Sequence, residues 1–573
     1  MSSQIRTLIS RKITEAIKHD VGVASQISTM LELDKNRPDP EFYLNMRELN
    51  DLCGNKEQKI DVNDLLKLDS DRCEILQSVK LKVKPPNNEK VVFKVDKRRF
   101  MEETLLRTNE ILSEKVEKAK TVIVEFSSPN IAKPFHVGHL RSTIIGNFLS
   151  NLNEHLGHRV HRLNYLGDWG TQFGYLNVGV DLKGFTENEI QAKPIEKLYE
   201  AYVYANQMSE KDPEIHKKAM EIFKNLESGS YDKLERWNSY KKFTVDELTR
   251  LYERLNVHFD EYHWESMYGI NAVQNVVRQL SDTGVLSDSE DGRKIAKVGD
   301  RVVPVVKSDG TTLYLTRDIA AYIDRYEKFN FDEIYYIVDN GQNDHFTALF
   351  NIIQQLKLPF AGRGTHIKFG RINGMSTRKG SAIFLKDILD EARDIMYEKQ
   401  VQSATTKIDI SNTNEASTDI LGTSAIIIND LKQRRNNQYT FNWDNALQTN
   451  GDSGIKLQYT HCRLCSLEEN SGASIANDVN VDFLQEPEAV SVVIELGKFP
   501  EAIARAHKTQ EACVIVNYLF SLCNTTSKAL KKLNIKQEPN EERKSQRQLL
   551  FNRVKLTLNV GMRILGLKPL TRM

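Results

Sequence analysis

The segment Thr121–Leu152, TVIVEFSSPNIAKPFHVGHLRSTIIGNFLSNL, constrains the fold more than any other stretch of this chain. It opens on the β-branched run Thr121-Val122-Ile123-Val124, which suits a parallel strand buried on both faces. The run breaks at Ser127-Ser128-Pro129-Asn130, a turn composition with its own hydrogen-bonding side chains. A helical pattern follows, with Leu140, Ile144, Ile145, Phe148, Leu149 and Leu152 at three- and four-residue spacing. Between turn and helix stands His136-Val137-Gly138-His139. Gly138 lets a ligand approach the backbone closely, and the helix start offers free N–H groups and a positive dipole end to an anion. Two histidines three residues apart at such a place suit phosphate oxygens. The same pair also fits a zinc site or a polar helix end.

At 573 residues the chain is too long for one core, and three or four domains are expected. Hydrophobic content of 40% and charge of 27% describe an ordinary globular protein, and no stretch approaches the roughly 18–20 apolar residues of a membrane span. Six scattered cysteines argue for a reducing compartment. Cys462 and Cys465 form a CxxC without a second pair, so no metal site is expected. The net charge of +1 hides a basic tail: Lys531–Met573 carries eleven Lys/Arg against three Glu. Such a block is usually a solvated face, yet it would also serve a nucleic-acid backbone. Residues 1–14 hold Arg6, Arg11, Lys12, three serines and no acid, with Ile5, Leu8, Ile9 and Ile13 at helical spacing. That fits a mitochondrial presequence and equally the first amphipathic helix of a folded domain.

Strand signals at Val79–Val83 and Val91–Val95 are joined by the turn Pro85-Pro86-Asn87-Asn88, and further signals at Thr121–Val124, Arg159–Leu166, Arg301–Val306 and Glu333–Val338 are separated by helical stretches. This alternation predicts an α/β protein built on a doubly wound parallel sheet, with ligands at the carboxyl ends of its strands. Three units are expected: an α+β unit over 1–118, a catalytic unit over 119–395 with a helical insertion at about 188–261, and an all-α unit over 396–573. Ser403–Thr418 reads as a linker or loop.

The string SSPNIAKPFHVGHLRST resembles the HIGH region of class I aminoacyl-tRNA synthetases, and the arginyl-tRNA synthetases in particular. Three further motifs resemble that family in the expected order. In TTLYLTRD (311–318), Tyr314 and Asp318 stand at i, i+4 on one helical face. A guanidinium ligand needs such a carboxylate for its planar fork. An ordinary Asp–Arg pair at a helix start is the plainer reading of the same residues. YIVDNGQNDH (336–345) supplies Gln342. GMSTRKG (374–380) resembles the KMSKS loop, although Thr377 stands where the second Lys would be.

The resemblance implies arginine contacts from Glu125 (to the α-amine), Ser128, Pro129, Asn130, His139, Tyr314, Asp318 and Gln342. It implies an ATP site of His136, Gly138, His139, Met375, Ser376, Arg378 and Lys379. The catalytic set is His136 and His139 with Lys379 or Lys133, either of which could replace the lysine missing at Thr377. LQYTHCR (457–463) resembles the start of a helical anticodon-binding domain, and Tyr459, Arg543, Lys544 and Arg547 are the expected tRNA contacts. Two departures concern tRNA reading: Val91 and Phe93 stand where family members present Phe and Gln to the tRNA D-loop, and an aromatic pair is missing near Leu530 and Asn534. The implied activity is ATP-dependent activation of L-arginine and its transfer to tRNA(Arg), with magnesium arriving on ATP. A monomer is expected, in the mitochondrial matrix or else the cytosol. Two rivals fit less well. A cysteinyl-type or pantetheine-phosphate transferase would need a zinc site or a far shorter chain. A non-catalytic synthetase relative would have lost the HxGH or the Tyr314/Asp318 pair.

Overall fold

Val122, Ile123 and Val124 are all buried, because the strand Thr121–Glu125 runs down the middle of a five-stranded parallel sheet. Its order is Gly364–Phe369, Glu333–Asp339, Thr121–Glu125, Arg159–Leu166, Glu261–Trp264. Pleating sends successive side chains to opposite faces. Val122 and Val124 join one hydrophobic cluster, with Tyr335 and Ile337, while Ile123 joins another, with Ile334 and Tyr336. The structure, a computed structural model, describes residues 4–34, 39–53, 59–69, 75–84, 88–131, 135–227, 231–308, 313–376, 384–402, 415–449 and 451–573.

The helix Val137–His155 covers one sheet face, and all six apolar side chains of its expected stripe, Leu140 to Leu152, are buried. Gly146 allows this packing: a Cβ there would lie 2.2 Å from the Phe126 ring. Five helices from Thr171 to Arg254 separate the second strand from the edge strand Glu261–Trp264. Among the described residues the C-terminal part is mainly helical, including Gly454–Asn470, Ala512–Lys532 and Glu541–Ile564, and it also holds the short strand Tyr439–Thr440.

The N-terminal unit is a four-stranded antiparallel sheet with helices. Val91 and Phe93 are fully buried within it, so neither side chain faces a partner. The helix Gln4–Ala16 packs as an amphipathic element of this fold. Ile5, Ile9 and Ile13 are buried, and buried Arg6 pairs with Glu501 at 3.4 Å. Each such isoleucine contributes about 1.5–3 kcal/mol of apolar burial.

Three expectations are corrected. Arg301–Val306 does not join the parallel sheet; it is the edge of a separate antiparallel sheet with Lys294–Val298 and Leu286–Asp288. Pro304, which has no N–H, is tolerated at such an edge. Glu415–Thr418 belong not to a loop but to the helix Glu415–Leu431; residues 403–414 lie outside the described ones.

The third correction concerns the basic tail. Arg547 points inward, donating to the Asn534 carbonyl and Glu538 at 2.7 Å and to Glu486 at 2.6 Å. Lys544 pairs with Glu541 at 3.3 Å, and Arg543 lies 3.7 Å from Glu538. Arg547 is therefore a buried structural cation and not a phosphate contact. Arg547→Ala should strand the buried Glu538 carboxylate and cost about 3–5 kcal/mol of stability. Denaturant unfolding measures this. A salt series of tRNA binding should keep its slope; a flatter slope with unchanged stability would show that Arg547 meets tRNA.

Candidate active site

The carboxyl ends of all five parallel strands converge on one region, where open α/β sheets bind ligands. From the central strand the chain turns sharply at Ser127 and Ser128, both with positive φ (71° and 45°). Non-glycine residues hold such angles only when their surroundings fix them. Here Ser127 N–H donates to Ser142 Oγ (2.9 Å), Ser127 Oγ lies 2.7 Å from the Tyr252 hydroxyl, and Ser128 N–H donates to Asn164 (3.1 Å). Asn130 bridges to Gly167 at the end of the next strand, and Gly167 N–H donates to the Pro129 carbonyl at 3.2 Å.

His136 is the N-cap of the helix Val137–His155. Its Nδ1 accepts Gly138 N–H (3.0 Å), while its own N–H donates to His139 Nδ1 (3.2 Å). The two rings lie 4.2 Å apart, and a Cβ on Gly138 would come within 2.8 Å of the His136 ring, so a side chain there would push that ring aside. Each Nδ1 acts as an acceptor, which puts the proton of the neutral ring on Nε2. The helix end thus presents imidazole N–H donors beside its dipole. Lys133, Thr377, Arg378 and Lys379 lie outside the described residues. Met375 and Ser376 follow the strand Ile372–Asn373 and are half-buried, Ser376 accepting a hydrogen bond from Trp443 Nε1 at 3.0 Å.

The helix Tyr314–Phe329 begins at Tyr314, half exposed, and places Asp318 one turn on. Asp318 accepts from His345 Nε2 at 2.7 Å. Burial opposes protonation of His345, but the Asp318 hydrogen bond and charge outweigh it and raise its pKa. Gln342 is exposed at the start of the helix Asn343–Gln355. A cavity of about 670 Å³ beside them is lined by Tyr314, Asn343, Asp344 and His345.

Two residues not singled out in the sequence enter this site. Glu265 directly follows the edge strand Glu261–Trp264, whose shortness hid it at the end of a helical stretch. Burial, then the nearby charges of Asp318 and Asp168, push its carboxyl up to about 8. Arg325, on the face of the helix that carries Asp318, is buried and pairs with Glu125 at 2.5 Å. Glu125, expected to meet a substrate amine, is itself buried and already holds this internal counter-ion. Burial raises its pKa, and Arg325 pulls the other way. Cys462 and Cys465 are buried on the helix Gly454–Asn470, and among the described residues no group of three His, Cys, Asp or Glu could hold a metal ion.

A parallel sheet whose central strand leads into an HxGH helix cap defines a class I aminoacyl-tRNA synthetase. The family model for the catalytic domain of "tRNA synthetases class I (R)" matches residues 101–443, and that of the "DALR anticodon binding domain" matches 457–573. The chain is 43% identical over 459 residues to a "Probable arginine--tRNA ligase, mitochondrial" of Bos taurus, covering 79% of this chain and 78% of the relative. It is 40% identical over 514 residues to a "Probable arginine--tRNA ligase, cytoplasmic" of Dictyostelium discoideum, covering 83% and 86%. The solved arginyl-tRNA synthetase of Thermus thermophilus shares the fold at TM-score 0.81 and 19% identity, over 99% of this chain and all of that one. The chain belongs to the arginine–tRNA ligases. It activates arginine with ATP and charges tRNA with it.

Proposed function

We propose that arginine lies across the carboxyl ends of the strands, its guanidinium between Tyr314, Asp318 and Glu265. What supports this is the acid gathered there: burial, then the charges of Asp318 and Asp168, push the Glu265 carboxyl up to about 8 although Arg317 pulls it down, and a bound cation adds to that pull. Ser128, held by Asn164, and Pro129 and Asn130, pinned to Gly167, line the backbone end of the substrate, with Gln342 opposite and the Glu125–Arg325 pair behind. The α-phosphate of ATP then sits near the substrate carboxylate, which attacks it and releases pyrophosphate. The tRNA's terminal hydroxyl next takes the arginyl group from the adenylate. No side-chain nucleophile is required; catalysis is positioning and stabilisation of phosphate charge. His136 and His139 donate Nε2–H groups to phosphate oxygens at the helix end, assisted by Lys379 or Lys133. Magnesium arrives on ATP and supplements that charge. Tyr459, exposed on its helix, is our candidate for a tRNA contact. We place this enzyme, as a monomer, in the mitochondrion, a reading supported by its mitochondrial relatives; the cytosol is the alternative, favoured by the cytoplasmic relative.

Arginine binding should expel a proton from Glu265. Its carboxyl is largely protonated at pH 7 in the ligand-free site and must ionise to meet a cation. Affinity should therefore strengthen as pH rises towards about 8 and level off above it. Titration calorimetry in buffers of different ionisation enthalpy measures the release, and Glu265→Gln should remove it. Proton-neutral binding, equal at pH 6.5 and 9, would contradict the assignment.

A further inference from the structure

Arg141 lies two residues beyond His139 on the nucleotide helix and is 1% exposed. Its guanidinium is placed where three parts of the chain meet. Nη1 donates to the Gly370 carbonyl and the Asn437 carbonyl, both at 2.7 Å, and Nη2 to the Arg434 carbonyl at 3.4 Å. Nε pairs with Asp430 at 3.1 Å, itself buried at the end of the helix Glu415–Leu431. Asp430 also accepts the Tyr439 hydroxyl at 3.1 Å, and the Tyr439 ring stands 5.4 Å from the guanidinium. Gly370 opens the segment that leads to Met375 and Ser376. That segment is laced to residues 435–443: Gly370 N–H donates to Arg435 (2.8 Å), Ile372–Asn373 pairs in parallel with Tyr439–Thr440, and Phe441 N–H donates to Asn373 (2.9 Å).

A buried ion pair contributes little net stability over an apolar pair of similar size, so stability alone does not explain one here. A planar fork that reaches three carbonyls and a carboxylate does fix where these three parts of the chain lie. We propose that Arg141 is a positioning residue for ATP. It sets the distance between the His136/His139 helix end and the Met375–Ser376 segment, and locks both to the helix that opens the C-terminal part. This rests on the reading that those two elements hold the triphosphate.

The test uses the full chain and three variants: Arg141→Lys, the double variant Arg141→Met with Asp430→Leu, and His139→Ala. Arginine-dependent ATP–pyrophosphate exchange and thermal unfolding are measured for each. Arg141→Lys keeps the charge but not the fork. It should lower kcat/KM for ATP by about tenfold to a hundredfold, with a much smaller change in the KM for arginine. The double variant removes both buried charges together. It should regain most of the thermal stability and still show the ATP defect, and it carries the test if Arg141→Lys does not fold. Recovery of ATP kinetics together with stability in the double variant would overturn the proposal, leaving a purely structural ion pair. A loss in His139→Ala with wild-type ATP kinetics in both Arg141 variants would overturn this inference alone. Wild-type ATP kinetics in His139→Ala would overturn the underlying reading of the helix end and this inference with it.

Discussion

His139→Ala should lower the rate of aminoacylation by about 10²–10³-fold, the usual cost of removing one preorganised donor from developing charge. The size of the effect follows from how His139 is held. Its Nδ1 accepts the N–H of His136, and its ring stacks on Phe135 at 5.2 Å, so the imidazole is oriented before any ligand arrives. Alanine removes both the donor and half of a capping interaction. The lost cap costs only about 1 kcal/mol of helix stability, too little to account for the kinetic effect. Binding of tRNA should stay near normal, because His139 is outside the anticodon-binding domain matched over 457–573. Aminoacylation kinetics, a thermal melt and a tRNA titration distinguish these contributions. Wild-type kcat/KM in the variant would remove His139 from the phosphate site.

Asp318→Asn should raise the KM for arginine by roughly tenfold to a hundredfold, in line with the strength of hydrogen bonds between charged groups. An amide of the same shape keeps contact with His345 but offers a guanidinium no counter-charge. The KM for ATP should change far less, since the proposed phosphate site at His136 and His139 is on a different helix from Asp318. A second consequence concerns His345, whose pKa stands above its ordinary value through Asp318. In the variant that support is lost, and the His345 pKa should fall. Steady-state kinetics in both substrates and an NMR titration of His345 check the pair of effects. Equal losses for arginine and ATP would mean that Asp318 supports the site as a whole and does not select arginine.

The strand–turn–helix unit at Thr121–Leu152 was legible because local pattern and burial coincide in it. A β-branched run fills a central strand, and each stripe residue of the following helix is buried. The cap formed by His136, Gly138 and His139 was legible for the same reason, since its contacts are all within three residues. Tyr314 and Asp318 share a helix face and could be paired by spacing alone. Contacts made across long separations could not. The partner of Arg141 is 289 residues away, and that of Glu125 lies on the distant helix Tyr314–Phe329. Arg547 counted as one more positive charge in a basic tail, and only its three-dimensional setting shows Glu486 and Glu538 around it. Glu265 escaped because a four-residue strand at a sheet edge carries no clear alternation. Arg301–Val306 read correctly as a strand, but β-propensity does not say which sheet a strand will join.

The central claim is that this sheet end selects arginine and activates it with ATP. Amino-acid-dependent ATP–pyrophosphate exchange, run with each of the standard amino acids and with and without tRNA, tests that claim most directly. Arginine should support exchange and the other amino acids should not, and His139→Ala should abolish the arginine signal. Exchange that another amino acid supports as well as arginine, or that survives His139→Ala unchanged, would contradict the account.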